Sequence, residues 1–425
     1  MARSKISEIA IAICKLVIGI LVANGLFLAF MCLAFSIPKE RMQDNMGLAL
    51  EVWQHEVGTV EPLFYDEGFY LDSFSDMIWA NTASQDTSNP FRTVVAMDYT
   101  CSGDNDPYNN LIEAIYYQDT NIANYSRYWN LCAGFMRIAF CKLQLHEIRV
   151  LFYLSTVILL GVLLNRIREK IGIKGVGPVF FGFLFCFISL HSVCFSFHGE
   201  ILSTLIGSIV IAYLSGNDWY RKNQFVVFAL VGACDFAFGP FVTPMLSVGI
   251  CLLIHCMFYI REMDWKNAWI NVCENGLSWL IGYGGTIVCK SILAKMVCGN
   301  QTATETAAMW LGPEFGIADR FRIILGNVKR YFAPMAIKGL IFAILLIVLL
   351  ILIVRYSKKY KNYVLILAIG MLPILWMLVV ARHSQHSFAS NALCVTMVAG
   401  LYAMTSAIDW DKIKGHQTEG DCIEK

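Results

Sequence analysis

Hydrophobic residues along this chain are concentrated in long runs, and most charged residues lie between those runs. A helix needs roughly 20 apolar residues to cross the hydrocarbon core of a bilayer. By that measure, the pattern predicts an all-α, polytopic membrane protein with about ten transmembrane helices. The predicted spans cover residues 9–37, 147–165, 176–197, 199–215, 224–238, 240–260, 268–290, 333–354, 362–381 and 387–408.

The composition supports a membrane protein. Hydrophobic residues make up 57% of the 425 residues and charged residues only 15%, with a mean hydropathy of +0.57. A soluble domain of this size cannot bury so much apolar surface. The net charge of +1 offers no basic surface for nucleic acid, so membrane lipids are the expected contacts.

The distribution of Lys and Arg predicts the orientation of the spans. These residues collect in the loops that follow spans two, four, six and eight, whereas residues 191–199 and 238–241 contain none. Because positive residues favour cytoplasmic loops, both termini are expected in the cytoplasm. The chain then divides into span one (1–37), an outer first loop with amphipathic helices and an acidic cluster (38–146), spans two to seven (147–295), an outer second loop (296–332), spans eight to ten (333–408) and a cytoplasmic tail (409–425).

The first loop is long and acidic. Residues 38–145 hold fifteen of the 32 Asp and Glu residues but only six of the 33 Lys and Arg residues. Apolar residues recur at helical spacing in residues 39–55 and again in 128–145, which predicts two amphipathic helices on the membrane surface.

An acidic cluster in this loop is the first candidate site. It consists of Asp66, Glu67, Asp72 and Asp76. Asp72 and Asp76 are spaced as neighbours on one helix face, where like charges repel, so a shared proton, cation or metal would relieve the crowding. The structural alternative is that Asp72 caps a helix and Asp76 is solvated. The stripe expected to be buried on this helix is Leu71, Phe74, Met77 and Ile78.

Cations between the last two spans form a second candidate site. Arg382, His383 and His386 lie in one short connection, called here the Arg382 turn (residues 382–386). A guanidinium and two imidazoles are suited to holding a phosphate, and Arg127 is a further candidate for that role. The structural alternative is an ordinary polar turn.

Three more polar residues are predicted at the same outer level. His198 and Glu200 lie between spans three and four, and Asp235 lies near the outer end of span five. Carboxylates within a membrane are usually functional, although either could simply pair with a neighbouring helix.

The layout resembles the GT-C superfamily of integral-membrane glycosyltransferases, which have an inner N-terminus, one span, a large outer loop with a catalytic acid, and many further spans. Asp66 and Glu67, followed by aromatic residues, are similar to the acidic pair of protein O-mannosyltransferases and lipid A aminoarabinose transferases. Residues 71–76 and the Arg382 turn also resemble patterns in bacterial membrane proteins of this type. The pair lies farther beyond the first span than in those enzymes, which leaves open whether Asp66 or Asp72 takes the catalytic place.

The resemblance implies an inverting enzyme that transfers a sugar from a polyprenyl-phosphate donor at the outer leaflet of a bacterial plasma membrane. An aspartate of the acidic cluster would act as general base on the acceptor hydroxyl. The Arg382 turn and Arg127 would neutralise the leaving phosphate. A divalent metal is compatible with the carboxylates, although no spacing requires one, and the sequence sets no oligomeric state.

Two other classes compete with this hypothesis. A transporter or flippase of a lipid-linked or small polar substrate would also need many spans, but such proteins usually contain repeated halves, and none is evident here. A scaffold subunit whose first loop binds a partner would make the acidic cluster dispensable.

Overall fold

A computed structural model describes residues 2–58, 71, 73–101, 106–117, 121–188, 193–239, 243–260, 263–299, 314–332, 335–357, 362–385 and 387–413. Within these ranges the chain is mostly helical, as the hydrophobic pattern predicts. The sheet structure described is one antiparallel pair of short strands, β1 (Asp98–Thr100) and β2 (Ile122–Asn124).

The helices are numbered in chain order. They are α1 Ala2–Phe35, α2 Glu40–Gly58, α3 Ser73–Ala83, α4 Pro90–Ala96, α5 Pro107–Tyr116, α6 Leu131–Ala139, α7 Leu145–Lys170, α8 Ile173–Ile188, α9 Phe195–Leu214, α10 Asp218–Phe238, α11 Pro244–Phe258, α12 Trp265–Cys298, α13 Ile317–Tyr331, α14 Met335–Tyr356, α15 Tyr363–Gly370, α16 Leu372–Val379 and α17 Cys394–Ser406. Each predicted span overlaps at least one of them.

Five helices of the described chain are long and apolar enough to cross a membrane: α1, α7, α9, α12 and α14. The other apolar helices are shorter or less hydrophobic. The predicted ninth span is broken at Met371, because Pro373 in the first turn of α16 has no N–H to continue the helix. The predicted tenth span begins as a 3₁₀ helix over Ser387–Leu393 before α17.

The first loop folds onto the end of the bundle where α1 and α12 end and where α7 and α9 begin. The two predicted amphipathic helices are present as α2 and α6, although α6 is shorter than expected and α7 starts at Leu145. The predicted stripe on α3 is wrong at Phe74, which is 51% exposed. The buried face of α3 instead carries Ser73, Asp76, Met77 and Ala80.

Two buried cations fasten the first loop to the bundle. Arg137 of α6 donates to the carbonyl oxygens of Ile37, Ala83 and Gln85 at 2.7–2.9 Å. Lys290 of α12 donates to the carbonyls in the last turn of α4, at 2.7 and 3.1 Å. The last carbonyls of a helix have no partner within it, so a cation placed there satisfies them and favours the helix dipole.

Glycines allow α10 and α12 to cross closely. A Cβ on Gly282 would lie 2.6 Å from the carbonyl carbon of Ala229, and one on Gly232 would lie 3.0 Å from that of Trp279. Small residues at such crossings let two backbones approach, as is common between membrane helices. This contact fixes the position of Asp235, one turn farther along α10.

Candidate functional site

Asp76 is the member of the acidic cluster that the structure describes, and it is fully buried. Asp66, Glu67 and Asp72 lie outside the described residues. The Oδ1 atom of Asp76 accepts a hydrogen bond from the backbone N–H of Ser196, at 3.1 Å. Ser196 lies in the first turn of α9, whose own N-cap residue supplies no side-chain cap. Asp76 therefore caps α9 from another helix, and the expectation that it is solvated is wrong.

An ion pair next to Asp76 was missed at the sequence level. Arg149 of α7 binds the Glu56 carboxylate through both of its terminal nitrogens, at 2.6 and 2.9 Å. The Ser73 hydroxyl also donates to Glu56. Arg149 lies one turn inside an apolar helix. A single charged residue in such a position usually has a partner, and this could have indicated the ion pair from the sequence.

Glu200 and Asp235 come together inside the bundle. Glu200 is 1% exposed and Asp235 is 2% exposed, and the two carboxyl groups are close enough to interact electrostatically. Glu200 Oε1 would lie 2.6 Å from a Cβ on Gly239, the residue whose N–H closes α10 onto the Asp235 carbonyl. The absence of a side chain at Gly239 therefore allows the Glu200 carboxylate to approach the backbone.

His198 faces away from this carboxyl pair. Its ring stacks on Phe152 with the centroids 3.9 Å apart, and its Nε2 lies 3.3 Å from the Ser155 hydroxyl. These contacts place His198 between α9 and α7. Residues 198 and 200 are two apart in a helix, so their side chains point in different directions.

Two side chains of α13 donate hydrogen bonds to backbone carbonyls of the Arg382 turn. Asn327 Nδ2 donates to the Ser384 carbonyl at 2.7 Å, and Arg330 donates to the Gln385 carbonyl at 3.0 Å. The Arg382 side chain is half-exposed and lies 3.9 Å from the Glu314 carboxylate. His383 is half-buried, and His386 lies outside the described residues. The turn thus presents a cation at the surface while its backbone is fixed.

Arg127 belongs to a different part of the molecule. Its guanidinium lies over the rings of Tyr125 and Tyr128, 4.0 and 5.3 Å from their centroids. Tyr128 in turn contacts Phe236 of α10. Within the described residues, no hydrogen bond or ion pair joins Arg127 to Arg382 or His383.

An apolar cavity of about 240 Å³ is lined by α13, which also contacts the Arg382 turn. One wall is the end of α13, immediately after Asn327, and another is Leu393, at the end of the 3₁₀ segment that follows the turn. Helices α14, α16 and α17 supply the rest. The lining residues are Val328, Tyr331, Phe332, Phe342, Ile374, Leu393, Thr396, Met397, Gly400, Leu401 and Met404.

A divalent metal would need several carboxylate, imidazole or thiolate ligands close together. Over the described ranges, no group of three or more His, Cys, Asp and Glu side chains is arranged to hold a metal ion. Three carboxylates of the acidic cluster lie outside those ranges, so a divalent metal at that cluster stays a prediction.

No family model, curated protein or solved structure matches this chain.

Proposed function

We propose that this chain is a membrane glycosyltransferase that moves a sugar from a polyprenyl-phosphate donor to an acceptor at the outer face of a bacterial plasma membrane. In this proposal the chain spans the membrane about ten times. Most spans contain roughly 20 apolar residues, and the shorter helices contain fewer. Both termini are cytoplasmic, and the first loop faces outward.

The apolar cavity and the Arg382 turn, both in contact with α13, carry the proposal. A lipid phosphate needs an apolar groove for its chain and a cation at the end of that groove for its head group. The cavity walls are apolar. Helix α13 supplies one of these walls and, through Asn327, also a hydrogen bond to the turn that contains Arg382 and His383. A membrane enzyme acting on a soluble donor would have no use for this combination.

The reaction needs a base and an anion site. A carboxylate would take the proton of the acceptor hydroxyl as its oxygen forms a bond to the anomeric carbon. The bond from that carbon to the phosphate oxygen breaks, and polyprenyl phosphate leaves with its negative charge near Arg382, His383 and His386.

Asp66, Glu67 and Asp72 are the carboxylates to which we assign the base. Asp76 is committed to the N-terminus of α9, where its charge favours the helix dipole. We therefore assign Asp76 a structural role that positions the first loop on the bundle.

A donor-consumption assay with purified protein in lipid tests this proposal. Radiolabelled polyprenyl-phosphate sugars would be supplied to wild type and to the Asp66→Asn, Glu67→Gln and Asp72→Asn variants. We expect one variant to lose transfer by at least about 100-fold, the usual scale for a missing general base, with an unchanged melting temperature. The matched control is Asp76→Asn, which keeps an oxygen acceptor for Ser196 and should retain transfer. If wild type consumes no donor from the panel, the proposal fails.

A transporter or flippase is the second candidate, and the buried pair of Glu200 and Asp235 favours it. Transporters place ionisable residues within the bundle and bind ions where helices are interrupted. The carboxyl pair lies beside the end of α10 and the start of α11. Movement of labelled substrate across sealed vesicles, with no donor consumed, would favour this candidate over the enzyme.

A further inference from the structure

Glu200 and Asp235 form a concentration of negative charge that the described residues do not balance. Both carboxyl groups are almost fully buried, and no Lys, Arg or His of the described chain forms an ion pair with either one. Burying an unpaired charge is costly, and two carboxylates at one place repel each other as well. In a membrane-embedded bundle, this arrangement favours neutralisation of the pair by protons or by a bound cation.

Unpaired oxygens point to where that positive charge would lie. Glu200 Oε2, both carboxylate oxygens of Asp235 and the hydroxyl of Thr243 are buried, with no well-formed hydrogen bond to any described residue. Thr243 is fully buried, and its backbone N–H lies against the Glu200 carboxylate. A buried hydroxyl without a protein partner beside two carboxylates is placed to bind a further ligand.

A fifth oxygen belongs to Ser247 of α11. Its hydroxyl lies beside the Asp235 carboxylate and accepts a hydrogen bond from the Trp279 indole N–H at 3.1 Å. Because the indole occupies only one acceptor position, the Ser247 oxygen keeps a lone pair for another partner. The oxygens thus come from three helical elements: α9, α10 and the first turn of α11 with the residue before it.

We propose that Glu200 and Asp235, with Thr243 and Ser247, form a binding site for a monovalent cation of the sodium class. The pair is neutral either with two protons or with one proton and one sodium ion. Binding sodium therefore breaks one carboxyl O–H bond, releases that proton to the solvent and leaves the total charge of the site unchanged. A neutral site in both states is what a low-dielectric interior favours.

Divalent cations fit this oxygen set less well. Calcium takes six to eight oxygen ligands, and magnesium requires a near-ideal octahedron and keeps several waters. The oxygens named above number five, and two of them are hydroxyls. The α10 C-terminus and the α11 N-terminus both lie here, so the partial charges of these two helix ends oppose each other.

Sodium titration of the purified full chain in detergent tests this inference without using any lipid donor. In weakly buffered solution, added NaCl should release about one proton per sodium bound, because metal binding displaces protons from its ligands. The melting temperature should rise to a plateau with NaCl, since an ion that binds only the folded state stabilises it. Choline chloride at the same ionic strength should produce neither effect.

Substitutions at the site should remove the response. We expect Glu200→Gln and Asp235→Asn to abolish both the proton release and the sodium-dependent rise in melting temperature. Thr243→Val, which keeps the size and removes only the hydroxyl, should raise the half-saturating sodium concentration several-fold. The matched control is Glu274→Gln, at an exposed position on α12, which should respond as wild type does.

Two outcomes would overturn the proposal. One is an equal response to sodium and choline, which would mean that ionic strength alone acts. The other is a stronger response to magnesium or calcium than to sodium, which would mean a divalent site. If the carboxamide variants do not fold, the proton count on wild type and the Thr243→Val titration still decide the matter. Sugar transfer enters none of these measurements, so the outcome is independent of the proposed enzyme.

Discussion

At the scale of single residues, buried cations in this protein mostly bind backbone carbonyls at helix ends. Arg137 of α6 and Lys290 of α12 both donate to backbone carbonyls of the first loop. Lys338 donates to the carbonyls of Phe185 and Tyr331 near the ends of α8 and α13. Burial lowers the pKa of Arg137 to about 10, against the opposing effect of Asp86. The group therefore stays charged at neutral pH, which strengthens its hydrogen bonds to the carbonyls.

Arg137→Met should destabilise the protein strongly. Methionine fills much of the same volume but leaves the carbonyls of Ile37, Ala83 and Gln85 without partners. Because each buried polar group left unpaired costs about 1–3 kcal/mol, we expect a loss of about 3 kcal/mol or more. The melting temperature in detergent measures this loss. Arg41→Met, at an exposed site on α2, is the control. An equal small change in both variants would contradict the stabilising role of the Arg137 hydrogen bonds.

Asp98 makes folding sensitive to pH in the acidic range. Burial raises the pKa of this carboxyl in the folded state, and the opposing charge of Arg92, 3.9 Å away, only partly offsets it. The folded-state pKa therefore lies above the unfolded value of about 3.9. The contribution of the Asp98 carboxyl to folding is most favourable below the unfolded pKa, where the group is protonated, and this contribution is lost as pH rises through the folded pKa.

Asp98→Asn should therefore stabilise the protein at neutral pH and have no such effect below about pH 4, where the native carboxyl is already protonated. Melting temperatures of wild type and variant across pH 3.5 to 7 would show a gap that opens as pH rises, a range chosen around the ordinary Asp value of about 3.9. Asp44→Asn, at an exposed position, should show a flat difference. A gap for Asp98→Asn that is the same at all pH values would refute the effect of burial.

At the scale of helices, Asp76 shows how far the sequence could lead. Hydrophobic periodicity predicted α2 and α6 correctly, because one face of each is apolar. The same logic was wrong at Phe74 of α3, which is exposed, and it did not predict that Ser73 and Asp76 are buried beside Met77. Nothing local in the sequence shows that the N-terminus of α9, over a hundred residues away, would take up the Asp76 carboxylate.

The close crossing of α10 and α12 should be intolerant of any side chain at Gly282. A Cβ there would overlap the Ala229 carbonyl, which is backbone and cannot turn aside, so the two helices would have to separate. Overpacking a tight interior typically costs about 1–3 kcal/mol, and we expect Gly282→Val to reach at least the upper part of that range. The yield of monodisperse protein and its melting temperature measure the effect.

Gly284 provides the control on the same helix, because a Cβ at that position meets nothing within 4 Å. Gly284→Val should leave the melting temperature close to that of wild type. Equal losses at positions 282 and 284 would show that valine harms the helix itself rather than the crossing.

At the scale of the whole molecule, the candidate site residues lie in several separate parts of the structure. The sequence pattern placed His198, Glu200 and Asp235 at one outer level, and in the structure Glu200 and Asp235 come together inside the bundle whereas His198 packs against α7. It also grouped Arg127 with the Arg382 turn, although Arg127 lies over Tyr125 in the first loop. Loop sequence alone cannot place distant cations, because their positions depend on how the first loop folds onto the helices.

Filling the apolar cavity should separate lipid binding from folding. Gly400 lines the cavity, and a side chain there would enter open space, so Gly400→Phe should occupy the groove without disturbing its walls. We expect the dissociation constant for a polyprenyl phosphate in detergent to rise about tenfold, a loss of about 1.4 kcal/mol, with little change in melting temperature. Gly339→Phe, where a Cβ also meets nothing within 4 Å but outside the cavity lining, is the matched control. If both variants bind the lipid as wild type does, its chain does not lie in this cavity, and the argument that links the Arg382 turn to a lipid phosphate loses its main support.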